Sequence, residues 1–362
     1  MSTKIVVCLD GTSPEYISAS DTPTLDGIAK AGFSLTGRAV VPTVTNVNNT
    51  SIITASFPEV HGITSNYFLN LSTGEEQYME SSEYLLTETI FERIGRTGRI
   101  SALLTAKEKL KSLISRGAQI AESAEKPSRW LVDRIGLPPA FYTIETNHWL
   151  FKAAREILTE KSPDMLYVTT TDYATHTYPP EDERSQWNFS RLDRLLGEIL
   201  EASPDSEIVV TADHGMNAKS RALDLTKILN NAGVQGTAIP IIKDRHVVHH
   251  KNLGGAAYIY LEDRSAMDEA VALLREEEGV EMAIPAPEAA RVYHLHPDRI
   301  GHIFVLANID TVFGTISASR EEVRVRSHGS LHEQAIPIYG LGTGPEKLKP
   351  SSNHSVAAWI ET

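Results

Sequence analysis

Short apolar runs alternate with helix-like stretches along most of the chain, and this alternation constrains the fold more than any other feature. Residues 4–9 (KIVVCL) form a β-branched run of strand length, and similar runs occur at 100–104, 165–168 and 208–211. Amphipathic stretches with helical spacing lie between them. Strands that alternate with helices favour an α/β fold, a mostly parallel sheet with helices on both faces.

Two stretches interrupt this alternation. Residues 111–137 are polar without a clear period, and residues 244–324 read as a βαββ pattern. We expect these two stretches to form a smaller α+β cap, and residues 1–110, 138–243 and 325–362 to form the core. His249 and His250, at the start of the expected cap, are not predicted to be metal ligands.

Composition narrows the classes of partner. The 362 residues carry a net charge of −13, which argues against nucleic acid and anionic lipid surfaces. Cys8 is the only cysteine, so a disulfide framework or a multi-cysteine zinc site is excluded. No apolar stretch approaches the ~20 residues that span a bilayer, and the N-terminus does not resemble a signal peptide. We therefore expect a cytoplasmic protein; a homodimer is compatible with the sequence.

Acidic residues directly follow three of the predicted buried strands: Asp10, Asp172 and Asp213. In an open α/β sheet, ligands bind beyond the carboxyl ends of the strands. Asp172 and His176 share one face if a helical turn follows the strand, and His214 is adjacent to Asp213. Helix capping and solvent exposure are the structural alternatives for each pair taken alone.

The combination of the three strand ends, one with Asp10 alone and two with an aspartate and a histidine, favours metal binding. Buried carboxylates need a positive partner, and no lysine or arginine is adjacent in the sequence to any of the three. We therefore expect a pair of divalent metal ions. Histidine with carboxylate and without thiolate favours zinc, manganese or iron(II).

Several motifs resemble those of a known superfamily. The motifs are Asp10-Gly11, PTVTNVNNTSI (42–52), TTTDYATH (169–176), ADHGMNAK (212–219) and RSHG (326–329). They look like the alkaline phosphatase superfamily and, within it, the nucleotide pyrophosphatase/phosphodiesterase-related branch. HGITSNYF (61–68), TAKEKL (105–110), VVHH (247–250) and DRIG (298–301) further resemble phosphonoacetate hydrolases. Val44, Val47 and Ser330 depart from that pattern, in which an aromatic residue, a proline and a second glycine are expected.

The resemblance implies a ligand set and a nucleophile. It implies one metal bound by Asp10, Thr45, Asp213 and His214, and the other by Asp172, His176 and His328. Zinc is the first choice, with manganese and iron(II) as alternatives. The resemblance implies that Thr45 attacks phosphorus, because a divalent cation makes a bound hydroxyl more acidic. Capping of the following turn is the structural alternative for Thr45.

The resemblance also implies a small anionic phosphonate as the substrate, with hydrolysis of phosphonoacetate to acetate and phosphate. Asn66 would donate to a phosphoryl oxygen, and Lys107 and Lys109 would stabilise the charge that develops on the leaving group. The structural alternative for the two lysines is the solvated start of a helix. The alternative functions are a phosphodiesterase or phosphomonoesterase on the same core, or a catalytically silent metal-binding protein.

Overall fold

The computed structural model describes residues 2–140, 142–245, 251–348 and 351–361. The strands are β1 (Lys4–Cys8), β2 (Phe33–Arg38), β3 (Tyr67–Leu69), β4 (Glu76–Tyr78), β5 (Ser101–Thr105), β6 (Ile120–Ser123), β7 (Met165–Thr169), β8 (Glu207–Thr211), β9 (Asn217–Leu223), β10 (Gly236–Pro240), β11 (Ala256–Leu261), β12 (Val280–Pro285), β13 (Ile303–Ala307), β14 (Thr311–Phe313), β15 (Arg320–Ser327) and β16 (Ala335–Leu341). His249 and His250 lie outside the described residues.

The helices separate most of these strands. They are α1 (Pro14–Ser18), α2 (Pro23–Ala31), α3 (Thr45–Thr54), α4 (Pro58–His61), α5 (Ile90–Arg96), α6 (Glu108–Ile114), α7 (Arg129–Ile135), α8 (Glu145–Lys161), α9 (Tyr173–Thr177), α10 (Glu183–Ala202), α11 (Leu225–Asn231), α12 (Met267–Glu276), α13 (Ala286–Tyr293) and α14 (Thr343–Leu348). Short 3₁₀ helices cover Ser82–Tyr84, Arg264–Ala266, Pro297–Arg299, Leu331–Glu333 and Asn353–Glu361. Within the described ranges, no helix is long and apolar enough to cross a membrane.

A large sheet forms the centre of the fold, with strand order β2-β16-β8-β1-β7-β5-β6. β8, β1, β7, β5 and β6 run parallel, whereas β16 is antiparallel to both β8 and β2. Alternate residues of the central strand β1 enter different apolar clusters. Val6 lies in the cluster that contains Ile52 of α3 and Leu113 of α6, and Val7 lies in the cluster that contains Phe151 of α8 and Leu196 of α10. The predicted α/β class, with helices on both faces, is confirmed.

The smaller sheets depart in two places from the expected division into core and cap. A four-stranded sheet has the order β10-β11-β13-β12, so β10, in the range predicted to be core, pairs with β11, in the range predicted to be cap. Conversely, β6 lies within the stretch assigned to the cap but pairs with β5 at the edge of the large sheet. Both strands are short, and only their pairing partners identify the sheet to which they belong. A three-stranded sheet has the order β14-β9-β15.

A buried asparagine holds the start of α3 in place. The helix begins at Thr45, and Asn48 lies inside it. The Asn48 side chain is fully buried, where its Oδ1 accepts from Val40 N and its Nδ2 donates to Val40 O and Pro42 O. Asn48 therefore ties α3 to the segment after β2 and does not cap the helix.

Candidate active site

Four neighbouring strands of the large sheet end in register at one edge. Cys8, the last residue of β1, pairs with Thr169 of β7 and Thr211 of β8, and Thr169 also pairs with Thr105 of β5. Within three residues of these ends, the chain places Asp10, Asp172, Asp213 and Lys107. The alignment of the strands, rather than their distance along the sequence, brings these side chains together.

The acidic residues lie in two overlapping groups with histidines. Ligand atoms of Asp10, Asp213 and His214 lie within 4.8 Å of one another, and so do those of Asp172, His214 and His328. All five residues are buried. His328 approaches from the turn after β15, and its Nε2 lies 3.8 Å from Asp172 Oδ2. The structure therefore brings together residues that are widely separated in the sequence.

The two remaining predicted ligands join the same cluster. A helical turn follows Asp172, because α9 begins at the next residue, and it places His176 Nε2 3.0 Å from Asp172 Oδ2. Thr45 is the first residue of α3, and its Oγ1 lies 3.3 Å from His214 Nε2. The hydroxyl thus lies among the acidic and imidazole groups.

Each of the three imidazoles is oriented by a backbone carbonyl. His214 Nδ1 donates to Gly215 O (2.9 Å). In the same way, His176 Nδ1 donates to Arg326 O (2.7 Å), and His328 Nδ1 donates to Thr43 O (2.7 Å). A carbonyl oxygen can only accept, so Nδ1 carries the proton in each neutral ring and Nε2 keeps a lone pair. All three Nε2 atoms face carboxylates, an arrangement that suits imidazoles binding a metal cation.

The charge of the cluster also fits a metal site. Asp10 is 3% exposed, and neither of its carboxylate oxygens receives a hydrogen bond within the described part of the chain. Burial, together with the charges of Asp172 and Asp213, raises the pKa of Asp10 well above its usual range. Carboxylates and bare imidazole nitrogens with no thiolate are suitable ligands for zinc, manganese or iron(II). The residues present therefore fit divalent cations.

Lys107 is a cation beside the carboxylates, although no lysine or arginine is adjacent to any of the three in the sequence. Its Nζ lies 3.3 Å from Asp172 Oδ1. Burial lowers the pKa of Lys107, but the carboxylates of Asp172, Asp10 and Asp244 outweigh burial, so the pKa is raised and the ammonium stays charged. One ammonium does not balance three carboxylates. Lys109, on the first turn of α6, forms an ion pair with Asp244.

Asn66 lies beside the segment that carries Thr45. The backbone of Met79 links the two, because Met79 N donates to Asn66 O (3.0 Å) and Met79 O accepts from Nδ2 of Asn46, which follows Thr45. Asn66 Oδ1 is buried without a hydrogen-bond partner among the described residues.

Asn49 is a residue of this site that the sequence motifs did not identify. Its Nδ2 donates to Asp213 Oδ2 (3.2 Å) and Thr45 O (3.1 Å), while its Oδ1 accepts from Tyr167 (2.8 Å). Asn49 therefore orients one ligand and the helix start together. Its position, one helical turn after Thr45, is the signal that could have identified it.

The fold is alkaline-phosphatase-like, and the cluster at this edge of the sheet could hold divalent metal ions. Residues 4–331 match the family described as Type I phosphodiesterase / nucleotide pyrophosphatase, and the chain belongs to this family. The membership predicted from the motifs is confirmed.

Solved structures and curated relatives refine this placement. Phosphonoacetate hydrolase from Sinorhizobium meliloti 1021, in complex with phosphonoformate, is 33% identical with a TM-score of 0.89, over 99% of this chain and 94% of that chain. Its complex with phosphonoacetate gives 32% identity and a TM-score of 0.90, again over 99% and 94% of the two chains. Murine ectonucleotide pyrophosphatase / phosphodiesterase 5 shares the fold, at 17% identity and a TM-score of 0.74 over 99% of this chain and 95% of that chain. Venom phosphodiesterase from Naja atra is 24% identical over 230 residues, which are 60% of this chain but only 26% of the venom protein.

Proposed function

We propose that the protein hydrolyses the C–P bond of phosphonoacetate to acetate and phosphate, with Thr45 as the nucleophile. The observation that carries the proposal is the position of two lysines after β5. Lys107 reaches the carboxylate cluster itself, and Lys109 lies two residues further along. The similarity to phosphonoacetate hydrolase over 99% of the chain supports the same substrate.

The residues that would hold two divalent ions, zinc in the first place, are those of the cluster. One ion would be bound by Asp10, Thr45, Asp213 and His214, and the other by Asp172, His176 and His328. When bound, such ions lower the pKa of a coordinated hydroxyl and polarise phosphoryl oxygens.

In this proposal Thr45 would attack phosphorus. Its hydroxyl lies at the first residue of α3, where the helix dipole favours negative charge on the oxygen. As the new O–P bond forms, the Thr45 hydroxyl gives its proton to solvent and the P–C bond breaks. The electron pair of that bond stays on the CH₂ carbon, which takes a proton from water to give acetate. Water then attacks phosphorus of the phosphothreonine, phosphate leaves, and the Thr45 hydroxyl is restored.

The two lysines meet a need that is specific to the C–P bond. The departing carbanion of acetate is a far poorer leaving group than an alkoxide, and its charge spreads onto the adjacent carboxylate. Ammonium groups beside that carboxylate stabilise the developing enolate charge. Lys107 and Lys109 bind Asp172 and Asp244 in the structure, so a substrate carboxylate would share or replace these partners. Asn66 would donate to a phosphoryl oxygen.

Hydrolysis of phosphate esters is the second candidate function. The family is described by its phosphodiesterase and pyrophosphatase activities. An ester leaves as an alkoxide, so the same cluster and Thr45 would suffice without help from the lysines.

The test compares phosphate release from phosphonoacetate, a nitrophenyl phosphodiester and a nitrophenyl phosphomonoester by purified, zinc-loaded protein. We expect phosphonoacetate to be cleaved with the highest kcat/KM. Faster turnover of either ester would replace the proposal by the second candidate. Absence of turnover with all three would leave a silent metal-binding protein.

Variants separate the roles of the side chains. Thr45→Ala should abolish phosphate release while the chain still retains its ions. Lys107→Ala and Lys109→Ala should reduce phosphonoacetate cleavage more than ester cleavage. Lys111→Ala is the matched control, because Lys111 lies on the same helix and its ammonium pairs with Glu108 (2.9 Å). Equal losses on both substrate types would remove the proposed role of the two lysines.

A further inference from the structure

A buried ion pair behind the cluster takes part in none of the steps above. Lys219 of β9 and Glu333 lie 2.8 Å apart, with 3% and 1% of their surfaces exposed. Glu333 ends the short 3₁₀ helix that follows the turn carrying His328. Buried ion pairs are weak sources of stability, because removing both charges from water is costly. This pair is therefore a candidate for a role other than stability.

The Glu333 carboxylate accepts four hydrogen bonds. Oε1 accepts from Lys219 Nζ and Asn217 Nδ2, each at 2.8 Å. Oε2 accepts from both the backbone N (3.0 Å) and the Oγ (2.7 Å) of Ser330. Ser330, one of the departures from the family pattern, thus adds a side-chain bond that glycine could not make.

The turn held in this way is bonded to the segment before Thr45. Thr43 Oγ1 donates to Ser330 O (2.8 Å) and accepts from Gly329 N (3.0 Å). Thr43 O in turn accepts from His328 Nδ1 (2.7 Å), the bond that directs His328 Nε2 into the cluster. Any displacement of Ser330 would therefore move both an expected ligand and the approach to the nucleophile.

The backbone of Glu333 also contacts the turn that carries Asp213 and His214. Glu333 O accepts from Gly215 N (2.8 Å), directly after Asp213 and His214. On the opposite side, Gly255 N donates to His328 O (2.7 Å), and a Cβ at Gly255 would lie 2.7 Å from the backbone N of Ser330. The turn is thus enclosed on both sides.

We propose that Glu333, held by Lys219, is a positioning residue that sets His328 and Thr45 relative to the Asp213–His214 turn. The inference rests on the proposed function, which gives His328, Thr45 and the Asp213–His214 turn their roles. Partners that orient metal ligands typically contribute ~10–100-fold to metal affinity or activity. The same order is expected here, concentrated on the ion that His328 would bind.

The test uses Glu333→Leu and the double variant Lys219→Met/Glu333→Leu. The single variant leaves a buried ammonium unpaired, and the double variant removes both charges. Glu198→Gln is the matched control, because Glu198 forms an exposed ion pair with Arg155 (3.1 Å). Three quantities are measured on the full chain: the urea unfolding midpoint, the zinc retained per chain against a graded chelator, and the visible spectrum of the cobalt(II) form.

We expect Glu333→Leu to lower the midpoint and to weaken retention of one ion by about 10–100-fold. The double variant should regain much of the midpoint but neither the ion affinity nor the wild-type cobalt spectrum. Recovery of affinity and spectrum together with stability would overturn the inference, and so would unchanged ion retention in Glu333→Leu. If wild-type protein retains its ions but does not cleave phosphonoacetate, the proposed function fails while loss of an ion in Glu333→Leu still supports this inference.

Discussion

His61 should make the stability of the protein depend on pH. The side chain is fully buried at the end of α4, where its Nδ1 accepts from Ile63 N (3.1 Å) and its Nε2 faces Ser51 Oγ (2.9 Å). Because Nδ1 accepts a hydrogen bond, the neutral ring carries its proton on Nε2. Burial, with Arg299 and His354 nearby, lowers the pKa of His61 to about 3. The folded protein therefore excludes a proton that the unfolded chain binds.

The sign and size of the effect follow from this difference. The pKa of an unfolded histidine is about 6.5, so the stability supplied by neutral His61 is present above that pH and is lost as the pH falls toward the folded value. At about pH 5, the unfolded state gains about 2 kcal/mol relative to the folded state from this one group. His61→Gln removes the titration, although it also lowers stability at neutral pH.

The assay is urea unfolding at about pH 7.5 and about pH 5, with excess chelator present so that metal binding does not contribute. Wild-type protein should lose about 2 kcal/mol more than His61→Gln between the two conditions. The matched control is His294→Gln, because His294 is exposed and pairs with exposed Glu59, and it should retain the wild-type loss. An equal loss in wild type and His61→Gln would refute the reasoning.

Two further predictions concern the cluster. Gly11→Ala should lower the free energy of unfolding by about 1–3 kcal/mol, because Gly11 has φ +69° and its Cβ would lie 2.5 Å from Thr175 Oγ1. Gly98→Ala, with φ +76° and open space around the added Cβ, should cost less in the same urea experiment, and equal costs would contradict the steric argument. Asn49→Leu removes the 3.2 Å hydrogen bond to Asp213 and should weaken zinc retention by about 10–100-fold in a chelator titration; wild-type retention would show that Asn49 does not orient the ligand.

The sequence predicted the part of the site that follows from strand ends. Asp10, Asp172 and Asp213 each come directly after a β-branched run, and parallel strands bring their carboxyl ends to one edge. The spacing of Asp172 and His176 also predicted a shared face, which α9 provides. These inferences needed only local patterns and the geometry of a parallel sheet.

The remaining residues of the site are brought together by contacts between segments that are distant in the sequence. Local pattern alone gave no reason to place His328 in the cluster, because it lies in a turn after a strand of a different sheet, and its assignment came from resemblance. Lys107 was expected near the substrate, but its contact with Asp172 depends on the pairing of β5 with β7. Glu333 had no sequence signal, because its role arises only from the contacts of its carboxylate with Lys219 and Ser330.

The charge of a metal-loaded cluster would allow this acidic protein to bind the proposed anionic substrate. With neutral imidazoles and with all three carboxyl groups ionised, as metal ligands are, Asp10, Asp172 and Asp213 outweigh the ammonium of Lys107 by two charges, in a chain whose net charge is −13. Two divalent cations would reverse the local balance to two positive charges, and Lys109 lies close enough in sequence to extend that positive region. Because a buried site is screened less than the surface, this local field rather than the net charge would govern binding of the proposed phosphonate. Affinity for the substrate should therefore depend on metal loading far more than on surface charge.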